Sequence, residues 1–156
     1  MSRPIFYNNN NKDQKITAAG IMFYRKYKED IELLMISSKR GIEDFGGCTD
    51  NKDNSPIDTA VRETFEESNG LLGNDMNNRI NYNMSVYNKN SKYLLFFCEL
   101  LPSECHKPEK FGTFEKHENI KRSIIYVNRT QIKKKYKSEL NFRLRNKDFY
   151  TKLFSL

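Results

Sequence analysis

Apolar positions fall into separate runs along the chain, divided by polar and glycine-containing stretches, and the runs differ in period. From Lys15 the chain turns apolar, and residues 16–25 read as a strand. Ala18, Ala19 and Gly20 in it are small enough for another backbone to approach closely. Residues 26–30 are polar and read as a turn. Residues 31–37, rich in Leu, Met and Ile, form a second strand candidate, so the pair predicts a hairpin. Two further strand candidates lie at 80–87 and 92–100, with Asn88-Lys89-Asn90 as the turn between them. A short buried strand is predicted at 123–127.

A helix is predicted from Ser55 to about Ser68. Ser55 is a capping residue, and Pro56 follows at the first helical position, where a missing N–H costs nothing. Asp58, three residues after Ser55, comes close to a capping box. Ile57, Ala60, Val61 and Phe65 give this helix an apolar face, and Asn69-Gly70 is a stop signal. Residues 41–54 form a long loop around Gly46-Gly47, and 102–118 form another, of a length that often carries function. From Thr130 onward one or two helices are predicted, with Ile132, Tyr136, Leu140, Phe142 and Leu144 as core positions. Residues 1–14 hold the run Asn8-Asn9-Asn10-Asn11 and little that could pack, which predicts a flexible tail before a single domain at 15–156. This order of elements fits an α/β fold with a mixed sheet between helices.

Composition narrows the class. The chain has 156 residues, enough for one core, and 37% of them are apolar. No apolar run approaches the roughly 20 residues needed to span a bilayer. The first residues lack the apolar stretch of a secretory signal, so an intracellular, cytoplasmic setting is expected. The three cysteines, Cys48, Cys98 and Cys105, lack metal-ligand spacing and predict free thiols. The formal charge of +7 favours anionic partners without choosing among nucleotides, polyphosphates, RNA and acidic surfaces.

The chemistry concentrates in the predicted helix. Glu63 and Glu67 are four residues apart and share a helical face, and Glu66 borders them. Three clustered carboxylates repel one another, and a hard divalent ion bound through oxygen would offset that cost. The common fate of such a stretch is a solvated surface. Here the apolar face and the Gly-Gly loop before the helix argue for a packed and functional one.

This segment resembles the Nudix box. That motif runs glycine, five residues, glutamate, seven residues, Arg-Glu, a bulky apolar residue, any residue, Glu-Glu, any residue, Gly and a bulky apolar residue. Here Gly47 is followed by five residues and Asp53, and then, after one residue more than the motif allows, by Arg62-Glu63-Thr64-Phe65-Glu66-Glu67-Ser68-Asn69-Gly70-Leu71. Asp53 replaces a glutamate, Thr64 a bulky apolar residue, and Asn69 a glycine. Asn69 can still end the helix, since asparagine tolerates left-handed backbone angles. The Glu43-Asp44-Phe45-Gly46-Gly47 approach and the Asn- and Lys-rich composition more loosely resemble Nudix proteins of large DNA viruses.

The resemblance implies a Nudix-type α/β/α sandwich and a pyrophosphohydrolase that uses Mg²⁺, with Mn²⁺ as a substitute. It implies that Glu63, Glu66, Glu67 and the Gly46 carbonyl hold the metal, and that Arg62 orients the carboxylates through ion pairs. The metal would neutralise a diphosphate and activate water for attack on phosphorus. A further acid from a loop outside the box is implied, with Glu118 and Glu115 the first candidates and Glu109 and Glu99 behind them. Lys39 and Arg40 stand where similar proteins place phosphate contacts. The run Lys133-Lys134-Lys135-Tyr136-Lys137, with Arg143, Arg145 and Lys147, reads as a solvated face or as a contact for a nucleic acid backbone. Tyr126 and Phe114 are available either to stack on a base or to pack in the core. The substrate expected is a nucleotide or another polyphosphate. The alternatives are a non-catalytic Nudix-fold module that binds RNA or nucleotides, and an mRNA-decapping enzyme.

Overall fold

The computed structural model describes residues 2–156; Met1, the first residue of the expected tail, lies outside the described residues. In chain order the elements are β1 (Phe6–Asn8), β2 (Asn11–Ile16), β3 (Ala18–Tyr27), β4 (Asp30–Ser38), β5 (Gly41–Glu43), β6 (Phe45–Cys48) and α1 (Pro56–Glu67). There follow β7 (Ser85–Asn88), β8 (Tyr93–Glu99), β9 (Phe114–Glu115), β10 (Ile120–Lys121), β11 (Ser123–Asn128), α2 (Arg129–Lys134) and α3 (Lys147–Leu153). The main sheet runs in the order β11-β4-β3-β8-β7. It is mixed: β3 and β8 are parallel, while β4 pairs with both β3 and β11 antiparallel. One edge of β3 serves two partners, β6 along Ala18–Ile21 and β4 along Phe23–Tyr27.

Helices cover both faces of this sheet, so its central strands are apolar on both sides. Ile21 and Phe23 of β3, Leu34 and Ile36 of β4, and Leu94 and Phe96 of β8 pack on one side with Ala60 and Val61 of α1. The alternate residues Met22, Leu33, Met35, Leu95 and Phe97 pack on the other side with Ile132 of α2 and with Phe149 and Leu153 of α3. The arrangement is the expected α/β/α sandwich.

Residues 41–54, expected as a long loop, contain the strands β5 and β6, and four further stretches differ from the expectation. The expected tail pairs into a two-stranded ribbon, β1 with β2, in which Asn8 is buried and its amide donates to Gln14 at 2.8 Å. Residues 80–84 are not strand: short 3₁₀ turns occupy 77–79 and 82–84, and only 85–88 pair with β8. Asn81 explains the second turn, because its side chain accepts from the Asn83 amide and caps it. In the C-terminal part α2 has six residues, and Phe142, expected in the core, is 68% exposed. Phe65 of α1 is 46% exposed, and Thr64 takes the buried position in its place.

Candidate active site

The N-terminus of α1 is fixed as its sequence predicts. Ser55 Oγ accepts from the Asp58 amide at 3.2 Å. Asp58 in turn accepts from the amide of Asn54, one residue earlier than a capping box requires. Thr59, Ala60, Val61 and Thr64 face the sheet. The Thr64 hydroxyl, buried where the motif has a bulky apolar residue, donates to the Ala60 carbonyl at 2.8 Å and so is satisfied within the helix. With that face turned inward, Glu63, Glu66 and Glu67 turn toward the Gly46-Gly47 strand β6.

Backbone and acids meet closely there because glycine leaves room. A Cβ on Gly47 would lie 2.6 Å from the Glu63 carboxylate. A Cβ on Gly46 would collide with the Tyr93 hydroxyl and the β3 backbone at Gly20. The Gly46 amide donates to Glu67 at 2.7 Å. Burial pushes the Glu67 carboxyl well above its ordinary value; Arg143 opposes the shift, and Glu63 and Glu43 add to it. Burial likewise raises Glu63, against the pull of Arg62.

Arg62 is the hub that orients these acids. It pairs with Glu63 at 3.1 Å and with Glu66 at 3.4 Å. Asp53 holds Arg62 from behind, accepting from its Nε at 2.9 Å and from its second terminal nitrogen at 3.0 Å. Asp53 also accepts from Thr59 and from the Asp50 amide. Burial raises the Asp53 carboxyl, but these hydrogen bonds together outweigh it and leave it below its ordinary value. Asp53 does not line the cleft described next; it positions the arginine.

The acids open into a cleft of about 250 Å³. Gly46, Gly47, Glu63, Glu66 and Glu67 form one side, and Glu115, His117, Glu118 and Arg122 form the facing wall. Glu118 is exposed, whereas Glu115 is buried and accepts from the Glu118 amide at 2.7 Å. Arg40 lines the cleft, but Lys39 is exposed and does not. Glu99 and Glu109 lie outside it. No phenylalanine or tyrosine lines it. Tyr126 is engaged elsewhere: its hydroxyl donates to the His106 carbonyl and the Arg25 guanidinium sits 3.6 Å from its ring centroid. Phe114 stays 44% exposed outside the cleft.

Three lining residues escape the sequence reading. Arg143, there part of a basic run, is half-buried at the cleft. It donates to Asp44 at 2.9 Å, lies 3.7 Å from Glu43 and covers the Tyr93 ring. Tyr93 donates in turn to Asp44. Arg122 is 4% exposed and donates to the carbonyls of Phe111, Gly112 and Glu67. His117 lies 3.5 Å from Glu66. No local pattern marks these three, because long-range folding alone brings them to the helix. The rest of the basic run stays apart. Lys134, Lys135, Lys137, Arg145 and Lys147 line a separate groove that shares no residue with the cleft.

Glu63, Glu66 and Glu67 offer the carboxylate oxygens that a hard cation takes, and a cation would offset their mutual repulsion. As the side chains stand, no group of three Asp, Glu, His or Cys among the described residues is arranged around a metal position. Arg62 pairs with Glu63 and Glu66, and Glu67 accepts from the Gly46 amide.

No protein-family model and no curated protein matches the chain. Solved structures do. One is an Ap4A hydrolase from C. elegans in a binary complex, at 19% identity over 90% of this chain and 95% of that one, with a TM-score of 0.57. Another structure of a C. elegans Ap4A hydrolase matches at 17% identity over 90% and 96% of the chains, with a TM-score of 0.52. At such identities the likeness shows a shared fold alone.

Proposed function

We propose that the protein is a Mg²⁺-dependent hydrolase of a phosphoric anhydride bond in a nucleoside diphosphate-linked or other polyphosphate substrate. One observation carries this reading: the half-buried acids Glu63, Glu66 and Glu67 of α1 open into a cleft whose other walls carry Arg40, Arg122 and Arg143. An acid cluster with cations around it suits an anionic ligand that arrives with a divalent ion. The solved structures that share the fold are described as Ap4A hydrolases, which agrees with a polyphosphate substrate.

Glu63, Glu66, Glu67 and the Gly46 carbonyl would hold the ion. Bound there, Mg²⁺ supplies Lewis-acid charge that offsets the phosphates and makes water a better nucleophile. Arg62, clamped by Asp53, keeps Glu63 and Glu66 on the cleft side of the helix. Glu118, an exposed carboxylate on the facing wall, would accept the proton of the attacking water. Water adds to phosphorus, the anhydride P–O bond breaks, and the leaving phosphate departs with the bridging oxygen. A cleft of about 250 Å³ is below the range of sites that enclose a drug-sized ligand, so it holds phosphates while the rest of a large substrate lies outside. The absence of a Phe or Tyr wall argues for recognition through phosphates rather than a stacked base.

Release of phosphate or pyrophosphate from nucleoside triphosphates, dinucleoside polyphosphates, nucleotide sugars, capped RNA and inositol pyrophosphates tests the reading. Turnover with Mg²⁺ that stops on chelation is the expected result. A second reading, a module that binds RNA or nucleotides without catalysis, is favoured by the pairing of Arg62 with Glu63 and Glu66. It predicts binding without product from the same panel.

A further inference from the structure

Asn69 follows the Ser68 cap of α1 with φ at 55°, in the left-handed region that glycine adopts freely and asparagine tolerates. A glycine there would end the helix equally well. Only the asparagine brings a side-chain amide, and that amide crosses to a segment 42 to 47 positions further along the chain. Its Nδ2 donates to the carbonyls of Phe111 and Phe114, each at 2.9 Å. Its Oδ1 accepts from the Lys116 amide at 3.0 Å. Both amide hydrogens and one oxygen lone pair are thereby used.

The segment so held carries Glu115, His117 and Glu118, the wall of the cleft that faces the α1 acids. The connection continues within the wall, since Glu115 accepts from the Glu118 amide at 2.7 Å. Arg122 fastens Phe111 and Gly112 at the start of the same segment, but its bonds do not reach 114–116. Among the described residues, the Asn69 side chain is what hydrogen-bonds that middle part to the end of the helix, two residues after Glu67, and His117, 3.5 Å from Glu66, is a second link further along the wall.

We propose that Asn69 is a positioning residue: its side chain sets the wall bearing Glu115, His117 and Glu118 against Glu63, Glu66 and Glu67. The catalytic part of this inference rests on the hydrolase reading above. The decisive variant is Asn69→Gly, which keeps the backbone angle and the helix end and removes only the three bridging hydrogen bonds. Amide exchange by NMR on the full chain is expected to quicken about ten-fold at Lys116, with α1 amides unchanged. In Mg²⁺ assays kcat is expected to fall about ten- to hundred-fold with KM nearly constant, as for a displaced catalytic group. In a Glu118→Gln background the same substitution should cost less than about two-fold, because coupled residues are not additive. A simple helix cap predicts none of these changes. Wild-type protection at Lys116 in Asn69→Gly, unchanged kcat, or the full loss of rate persisting beside Glu118→Gln would each overturn the proposal. An inert wild-type protein would instead overturn the hydrolase reading, and Lys116 exchange would still decide whether Asn69 holds the wall.

Discussion

Asp53 is a single loop residue that holds the arginine at the centre of the acid cluster. It accepts four hydrogen bonds and uses two of them to fix Arg62. Asp53→Ala would remove two bonds from Arg62 and leave the buried Thr59 hydroxyl without this acceptor, so a loss of about 2 kcal/mol is expected in urea unfolding. Glu67 behaves in the opposite way. Its folded-state pKa is raised, so between its unfolded and folded values the native state binds more protons than the unfolded chain. The stability it allows is complete below the unfolded value and declines as pH rises toward the folded one. Without divalent ions the wild type should therefore lose stability across that window, and Glu67→Gln should flatten the loss in melts taken as a function of pH. A wild type whose stability rises there would contradict this account of the acids. Sequence spacing placed Glu63, Glu66 and Glu67 together because helical periodicity is local. It could not assign Asp53, whose partners depend on how the 48–54 loop folds back on α1.

At the scale of elements, the bounds of α1 were legible: cap, proline and stop agree with them, while of its expected apolar face Phe65 is exposed and Thr64 is buried in its place. Ser55→Ala removes the cap and should cost about 1 kcal/mol with little effect on turnover, since the acids lie beyond the first turn. Urea denaturation beside a rate assay separates the two effects. Strands β3, β4 and β8 were legible because burial on both faces makes them near-continuous apolar runs. Residues 80–84 misled because Ile80 is buried as a strand residue would be, yet Asn81 caps a turn instead of pairing. The β1–β2 ribbon was missed because its polar sequence carries no apolar alternation, and local turn bonds from Asn8 and Asn11 shape it.

At the scale of the whole molecule, the site joins parts that are distant in sequence. Arg143 lies far beyond the box, yet it sits at the cleft among Asp44, Glu43 and Tyr93. Its basic neighbours are exposed or half-exposed, so nothing local in the sequence distinguishes it from them. Arg143→Met would leave buried carboxylates uncompensated, and a loss of about 3 kcal/mol is expected, largest at neutral pH and smaller in acid. Chemical unfolding at the two pH values checks it. The α1 acids are proposed to hold a divalent ion for polyphosphate hydrolysis. The most direct test of this proposal is phosphate and pyrophosphate release from the substrate panel, with Mg²⁺ or with chelator, for the wild type and for Glu67→Gln. Mg²⁺-dependent turnover that falls about 100-fold or more in Glu67→Gln is the predicted result. No turnover of any substrate by the wild type, or turnover that Glu67→Gln leaves unchanged, would contradict it.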